Sequence, residues 1–197
     1  MNPSNTRAPR RLPSSLLPVL FAVSSTLVFG HPGHGPVDGF GHGFDHPLSG
    51  WDHALAMIAI GFWAAQIGAP WLLSGTCLGL ISVGAVIGHW SGPISGVEQG
   101  VAASLLVFGL LIEGAVRLPT AISVALIALF ALFHGLAHAV ALPSAAALPY
   151  GLGFLAATAL LQGVGIALSS VASGRFSLAT RIAGVGIAVA GVILLAG

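Results

Sequence analysis

The stretch HPLSGWDHALAMIAIGFWAAQI, His46 to Ile67, sets two imidazoles and a carboxylate at the mouth of an apolar run. From Ala54 onward its composition is that of a helix crossing lipid. Ionisable side chains at the start of such a helix are disfavoured unless they face a partner, a cavity or an ion. Their retention points to function, and imidazole combined with carboxylate points to a metal cation.

The rest of the chain supports a membrane setting. Of 197 residues, 56% are hydrophobic and only 6% charged, mean hydropathy is +0.99, and 28 are glycine. A soluble domain needs far more surface charge, whereas glycine-rich apolar stretches suit helices that pack closely in lipid. The fold class predicted is an all-α integral membrane protein, with the lipid bilayer as its surroundings. A net charge of +1 gives no basic face for nucleic acid, so nucleic-acid binding is excluded. Cys77 is the single cysteine, which rules out a disulfide framework or a paired-thiolate site and leaves it as a small packing residue.

The first thirty residues differ from the remainder. Arg7, Arg10 and Arg11 form a basic start, an apolar run follows from Leu12 to Phe29, and Gly30 offers a small residue before a polar stretch. This pattern predicts a signal peptide over residues 1–30, with an uncleaved first helix as the alternative. Residues 31–46 then read as an extracytoplasmic loop rich in glycine and histidine. Its His31, His34 and His42, with Asp38 and Asp45, suit either weak capture of a divalent ion or a solvated linker.

About twenty apolar residues cross the hydrocarbon core, and by that rule residues 47–197 hold six transmembrane helices. The predicted spans are Pro47–Ile67, Trp71–Trp90, Val97–Val116, Pro119–Leu142, Pro149–Ala172 and Ser177–Ala196. Small residues recur at four-residue spacing in Gly75-x-x-x-Gly79 and Gly84-x-x-x-Gly88, which tight bundle packing explains. A homo-oligomer is compatible with such stripes but not specified by them.

Arginine gives the orientation, because cytoplasmic loops carry the excess of positive charge. Arg117, Arg175 and Arg181 all fall on one side of a six-helix zigzag, so that side is predicted to be cytoplasmic. The mature amino terminus is then outside. The predicted location is a plasma membrane, the bacterial inner membrane in the light of the resemblance below, with multiple passes and a periplasmic amino terminus.

Threading the ionisable residues through this topology brings His46, Asp52, His53, His89, Glu98, His134 and His138 to the outer half. His53 and His134 each lie roughly 10 Å in from their outer helix ends, and His138 about 5 Å. His134 and His138 are four apart and share a helical face, while His46 and His53 are two turns apart and share another. Asp52 either ligates or orients an imidazole. The set favours nickel, cobalt or zinc over calcium and magnesium, which take all-oxygen shells, and over copper(I), which prefers thiolate and thioether. Met57, one turn past His53, reads chiefly as core packing. His89 beside Trp90 is a ligand or a hydrated rim residue, and Glu98 a helix-capping or metal-capturing carboxylate. Glu113 is expected to pair with Arg117 at i,i+4 spacing. Without metal, the histidines and Asp52 would form an interhelical hydrogen-bond network.

GFGHGFDHPLSGWDH, from Gly39 to His53, resembles the first-helix signature of the HupE/UreJ family of bacterial nickel and cobalt permeases, a histidine followed after five residues by Asp-His. Phe133-His134-Gly135-Leu136-Ala137-His138 resembles the family's fourth-helix motif, and Val97-Glu98-Gln99-Gly100 the opening of its third helix. The resemblance covers nearly the whole mature chain. It implies a six-helix permease behind a signal peptide, supplying nickel to hydrogenase or urease, or cobalt to cobalamin-related pathways. One departure stands out: the family's fourth-helix motif continues to a glutamate, where this chain has Ala139-Val140-Ala141. Glu98 is the carboxylate available to compensate.

No Gly-x-x-x-x-Gly-Lys-Ser/Thr phosphate loop is present, so the chain does not itself hydrolyse ATP. An inside-negative potential contributes about 2.3 kcal/mol per charge per 100 mV, and roughly twice that for a divalent ion. Facilitated uptake of Ni2+ or Co2+ as transported substrate, with no permanently bound cofactor, is therefore sufficient. The competing expectation is an intramembrane zinc hydrolase, in which the same residues activate a water and Ser49, Glu98 or Ser144 is recruited to catalysis.

Overall fold

The computed structural model describes residues 39–138, 147–172 and 177–197. The predicted signal peptide, His31, His34, Asp38, Ala139 to Ala141, Ser144 and Arg175 lie outside the described residues. Those that are described form seven helices: α1 (Gly39–Ser49), α2 (Trp51–Ile67), α3 (Pro70–Ser91), α4 (Val97–Glu113), α5 (Thr120–His138), α6 (Ala147–Val171) and α7 (Leu178–Ala196).

Four of these, α3, α5, α6 and α7, are long and apolar enough to cross a membrane. Helices α2 and α4 have 17 residues each, about 25 Å of rise against a hydrocarbon core of about 30 Å. Large apolar side chains face outward along the long helices, as lipid requires. Trp71 and Trp90, each 83% exposed, stand near the two ends of α3, about 29 Å apart along its axis. That is the separation of the two interfacial aromatic belts.

Two expectations about the amino-terminal part are corrected. Residues 39–46 were expected as loop, yet they belong to α1, and the expected first helix from Pro47 is divided at Gly50, whose backbone is extended (φ −89°, ψ 100°). The glycine-rich composition argued against a helix by propensity alone. Tertiary packing decides otherwise: Gly43 and Gly153 let α1 and α6 touch, since a side chain at Gly43 would strike the Tyr150 carbonyl and one at Gly153 the Phe40 carbonyl. Most helical stability in proteins comes from such packing.

The same device joins the other main pairs, α2 with α6, α3 with α5 and α4 with α7. Gly61 lies on the Gln162 backbone and Gly165 on that of Ile58, Gly84 and Gly135 meet across α3 and α5, and Gly109 and Gly184 across α4 and α7. Close backbone approach is how helices associate where lipid removes the hydrophobic driving force. Of the two four-residue glycine patterns on α3, only that containing Gly84 is used this way; Gly75 and Gly79 face open space.

Between these seams, Trp63 and Phe108 are fully buried with ring centroids 5.6 Å apart, and Phe108 meets Phe130 at 5.5 Å. The Trp63 indole donates to the Val116 carbonyl at 3.1 Å, which gives its one polar atom a partner. The α2–α3 corner is made by Gly68 at φ 88°, whose N–H returns to the Ala64 and Ala65 carbonyls, followed by Pro70 at the start of α3. These are the usual glycine stop and proline start.

The Glu113 expectation is also corrected. Helix α4 ends at Glu113, three residues short of the expected Val116, and Ala115 takes a left-handed φ of 47°. Arg117 is thereby no longer one helical turn from Glu113. Instead Arg181, in the first turn of α7, donates to Glu113 Oε1 at 2.8 Å. The Arg181 side chain is 59% exposed, so the pair is screened and contributes little. Glu113→Gln is expected to cost under about 1 kcal/mol in thermal unfolding, less at high salt.

Candidate functional site

Four histidines from three helices meet at the end of the bundle opposite the Glu113–Arg181 pair. His46 comes from the last turn of α1, His53 from the first turn of α2, and His134 and His138 from the end of α5. Their rings run in a chain: His46 to His138 at 4.8 Å between centroids, His138 to His53 at 4.4 Å, and His53 to His134 at 5.2 Å. The four-residue spacing on α5 does put both imidazoles on one face. His46 and His53 reach it differently from the expectation, since the break at Gly50 separates their helices and both still turn toward α5.

Helix α6 closes the cluster from the side. Phe154 packs on His138 at 4.4 Å, and Tyr150 tilts against His46 at 6.0 Å. His134 is 1% exposed and His138 6%, whereas the His53 side chain keeps 13% and that of Asp52 23%. The site is therefore a graded opening, wettest at Asp52 and dry at His134.

The hydrogen bonds fix which ring nitrogens are free. Asp52 Oδ1 lies 3.1 Å from His53 Nδ1, and an ionised carboxylate only accepts, so in the neutral ring the proton sits on Nδ1 and Nε2 carries the lone pair. That Nε2 is buried without a partner. Ser104 donates to the Val101 carbonyl at 2.6 Å, so its oxygen accepts from His134 Nε2 at 3.1 Å. His134 Nδ1 is then a second bare lone pair, also buried and unpartnered. An imidazole anchored through one nitrogen with the other left free is the arrangement of a metal ligand and its supporting residue. His46, outside the long apolar helices, is held below the ordinary histidine pKa of 6.5 by burial first and by its neighbour His53 second. It too is kept neutral.

Among the described residues, no group of three or more His, Cys, Asp or Glu side chains is arranged to hold a metal ion as it stands. The imidazoles pack edge to face, and drawing their lone pairs onto one point takes side-chain rotation. An apolar cavity of about 340 Å3, lined by Tyr150, Phe154 and Leu155 among others, reaches His138. His89 and Glu98 are not brought to the cluster. His89 is exposed, edge-on to Trp90 at 5.9 Å, and the exposed Glu98 borders a separate cavity with Pro93, Leu136 and Ala137. Of the loop candidates, His42 and Asp45 are exposed on α1.

Sequence reasoning missed Ser104, Tyr150 and Phe154. Ser104 is a lone hydroxyl in an apolar helix, and Tyr150 is the chain's single tyrosine. Neither signal is specific enough to assign a partner across helices.

Residues 19–194 match the family model described as HupE / UreJ protein. The chain belongs to the HupE/UreJ family. HupE/UreJ proteins are membrane transporters, not enzymes, associated with nickel uptake for hydrogenase and urease. Protein HupE of Rhizobium leguminosarum bv. viciae is 38% identical over 164 residues, covering 81% of this chain and 86% of that protein. No solved structure matches. The resemblance drawn from the first-, third- and fourth-helix motifs thus holds over the chain, and the hydrolase expectation is set aside by membership in a family of transporters.

Proposed function

We propose that this HupE/UreJ protein is a facilitated permease for Ni2+, and for Co2+ by the same ligand chemistry, with His46, Asp52, His53, His134 and His138 as its outer binding site. The observation that carries this is the pair of bare, buried imidazole lone pairs, His53 Nε2 and His134 Nδ1, each with its opposite ring nitrogen anchored. Leaving two such atoms unsatisfied costs about 1–3 kcal/mol each, and a transition-metal ion is what satisfies them. Asp52 orients His53 and holds negative charge at the mouth. His89 and Glu98 are assigned to the outer rim, where they meet the hydrated ion before the cluster does.

The finer topology is α2 to α7 as six spans behind a signal peptide at residues 1–30, in a bacterial inner membrane with the amino terminus periplasmic. Support comes from the aromatic belts on α3, from the pairing of Arg181 with Glu113 at the end away from the histidines, and from the rule that arginine marks the cytoplasmic side. An imidazole set that closes around an ion only after its rings turn suits transit, since conduction requires binding weak enough to release. No step consumes ATP; the membrane potential supplies the driving force.

Asp52→Asn tests the orienting role. It keeps the shape but removes the charge, and uptake of radiolabelled nickel by cells is expected to fall about 10–100-fold; an unchanged rate would remove Asp52 from the site. Acidification tests the imidazoles. Neutral rings bind metal and protonated rings do not, so uptake falls as the medium is acidified. Because His46 titrates below 6.5, its part of the loss sets in below that pH. A rate independent of pH down to well below 6.5 would contradict imidazole ligation.

A further inference from the structure

Beneath the histidines lies a second group of donor atoms that the outer site does not use. Helices α2 and α6 descend together from the cluster. Met57 is one turn past His53, about 6 Å deeper, and Gln162 is two turns past Phe154, about 12 Å deeper. These two meet, Gln162 Nε2 lying 3.8 Å from the Met57 sulfur. Cys77, from the middle of α3, is buried in the same core cluster as Met57, close enough to the Gln162 side chain to interact with it.

All three are sealed from the surroundings: Cys77 is 0% exposed, Gln162 1% and Met57 2%. Burial is normal for methionine and cysteine but not for glutamine. Gln162 Oε1 is moreover left without a partner, and so is the hydroxyl of Thr158, one turn above it on the way from the histidines. A buried amide oxygen with no donor costs about 1–3 kcal/mol, and an apolar side chain of the same size would avoid that cost. Further along, the Gln66 amide is buried with both its atoms unpartnered, beside a cavity of about 140 Å3 shared with Ser169 and Thr180. Gln66 is about 20 Å deeper than His53 along α2.

We propose that Met57, Cys77 and Gln162 form an inner metal station, which receives a partly dehydrated divalent cation from the histidines and presents it to the Gln66 end of the bundle. The inference rests on the permease reading and extends it to the membrane midplane. Thioether sulfur and a cysteine sulfur that gives up its proton on coordination, with one amide oxygen, suit soft to borderline late transition-metal ions, Ni2+ and Co2+ among them, and discriminate against Mg2+ and Ca2+, which take all-oxygen shells. The Gln162 amide turns its oxygen to the ion when loaded and its nitrogen to the sulfurs when empty. A midplane site of weak, largely uncharged ligands also offers a way across the apolar half without a charged residue, which lipid would penalise.

Nickel K-edge X-ray absorption on the full-length protein in detergent, loaded with one and then two equivalents of Ni2+, tests the station without relying on transport. The expected result is imidazole scattering at the first equivalent and added sulfur scattering at the second. The sulfur signal should disappear in Met57→Leu/Cys77→Ala, where first-equivalent affinity stays within about 2-fold and nickel uptake drops about 10-fold or more. Gln162→Leu, which leaves both sulfurs in place, should lower uptake to a similar extent. Unaltered circular dichroism and elution volume in both variants establish that they fold. Absence of sulfur scattering in the wild type, its persistence in the double variant, or full uptake in both variants would overturn the proposal. Sulfur scattering in a wild-type protein that moves no nickel would instead remove the permease reading and leave the station standing as a binding site.

Discussion

Replacing His134 with leucine is expected to lower nickel affinity by about 100-fold or more while leaving the protein at least as resistant to heat as the wild type. The two effects have one origin. His134 is 1% exposed, and its Nδ1 is buried with no partner, an arrangement the fold maintains at a cost of about 1–3 kcal/mol. Leucine fills a similar volume, removes the unsatisfied atom and leaves Ser104 bonded to the Val101 carbonyl. Loss of a direct ligand exceeds the 10–100-fold seen when a ligand's supporting residue is lost. Equilibrium dialysis with nickel and thermal unfolding in the same detergent would measure both. A stable variant that binds nickel normally would show that His134 is not a ligand, and a strongly destabilised one would show that its role is structural.

The second large effect runs the other way, on stability first and transport only as a consequence. Gly165→Val is expected to destabilise the fold by about 3 kcal/mol or more, and Gly61→Ala by about 1–3 kcal/mol, because each drives a side chain into backbone of the facing helix, that of Ile58 for Gly165 and that of Gln162 for Gly61. Neither helix can yield without disturbing the level at which Met57 and Gln162 face each other. Gly75→Ala supplies the contrast. Nothing lies within 4 Å of a side chain there, so stability should be unchanged or raised by up to about 1 kcal/mol through better helix propensity. Denaturant titration of the three variants would check this; similar losses at all three positions would refute the close-packed seam between α2 and α6.

Those glycines also mark where sequence reading stops. Gly75-x-x-x-Gly79 and Gly84-x-x-x-Gly88 are the same pattern on the same helix, yet Gly84 meets a partner while Gly75 and Gly79 face open space, and periodicity carries no information about which face a neighbour occupies. The convergence of His53, His134 and His138 at one end of the bundle was legible because helix rise and i,i+4 spacing fix depth and direction. The helical state of residues 39–46 was not, because it depends on packing Gly43 against Tyr150, more than a hundred residues away. Likewise the Glu113–Arg117 pair looked sufficient until the left-handed turn at Ala115 gave the carboxylate to Arg181. Ser104 and Gln162 were opaque for the same reason: a single polar residue in an apolar helix reveals its function only when the helix across from it is known.

As a permease, the histidine cluster passes a transition-metal ion through the bundle without ATP. Uptake of radiolabelled nickel into proteoliposomes containing the full-length protein, under an imposed inside-negative potential and with no nucleotide present, tests it most directly. Accumulation is expected to rise with the potential and to be lost in His53→Ala and His134→Ala. Wild-type vesicles that accumulate no nickel or cobalt, or variant vesicles that accumulate as much as the wild type, would contradict it.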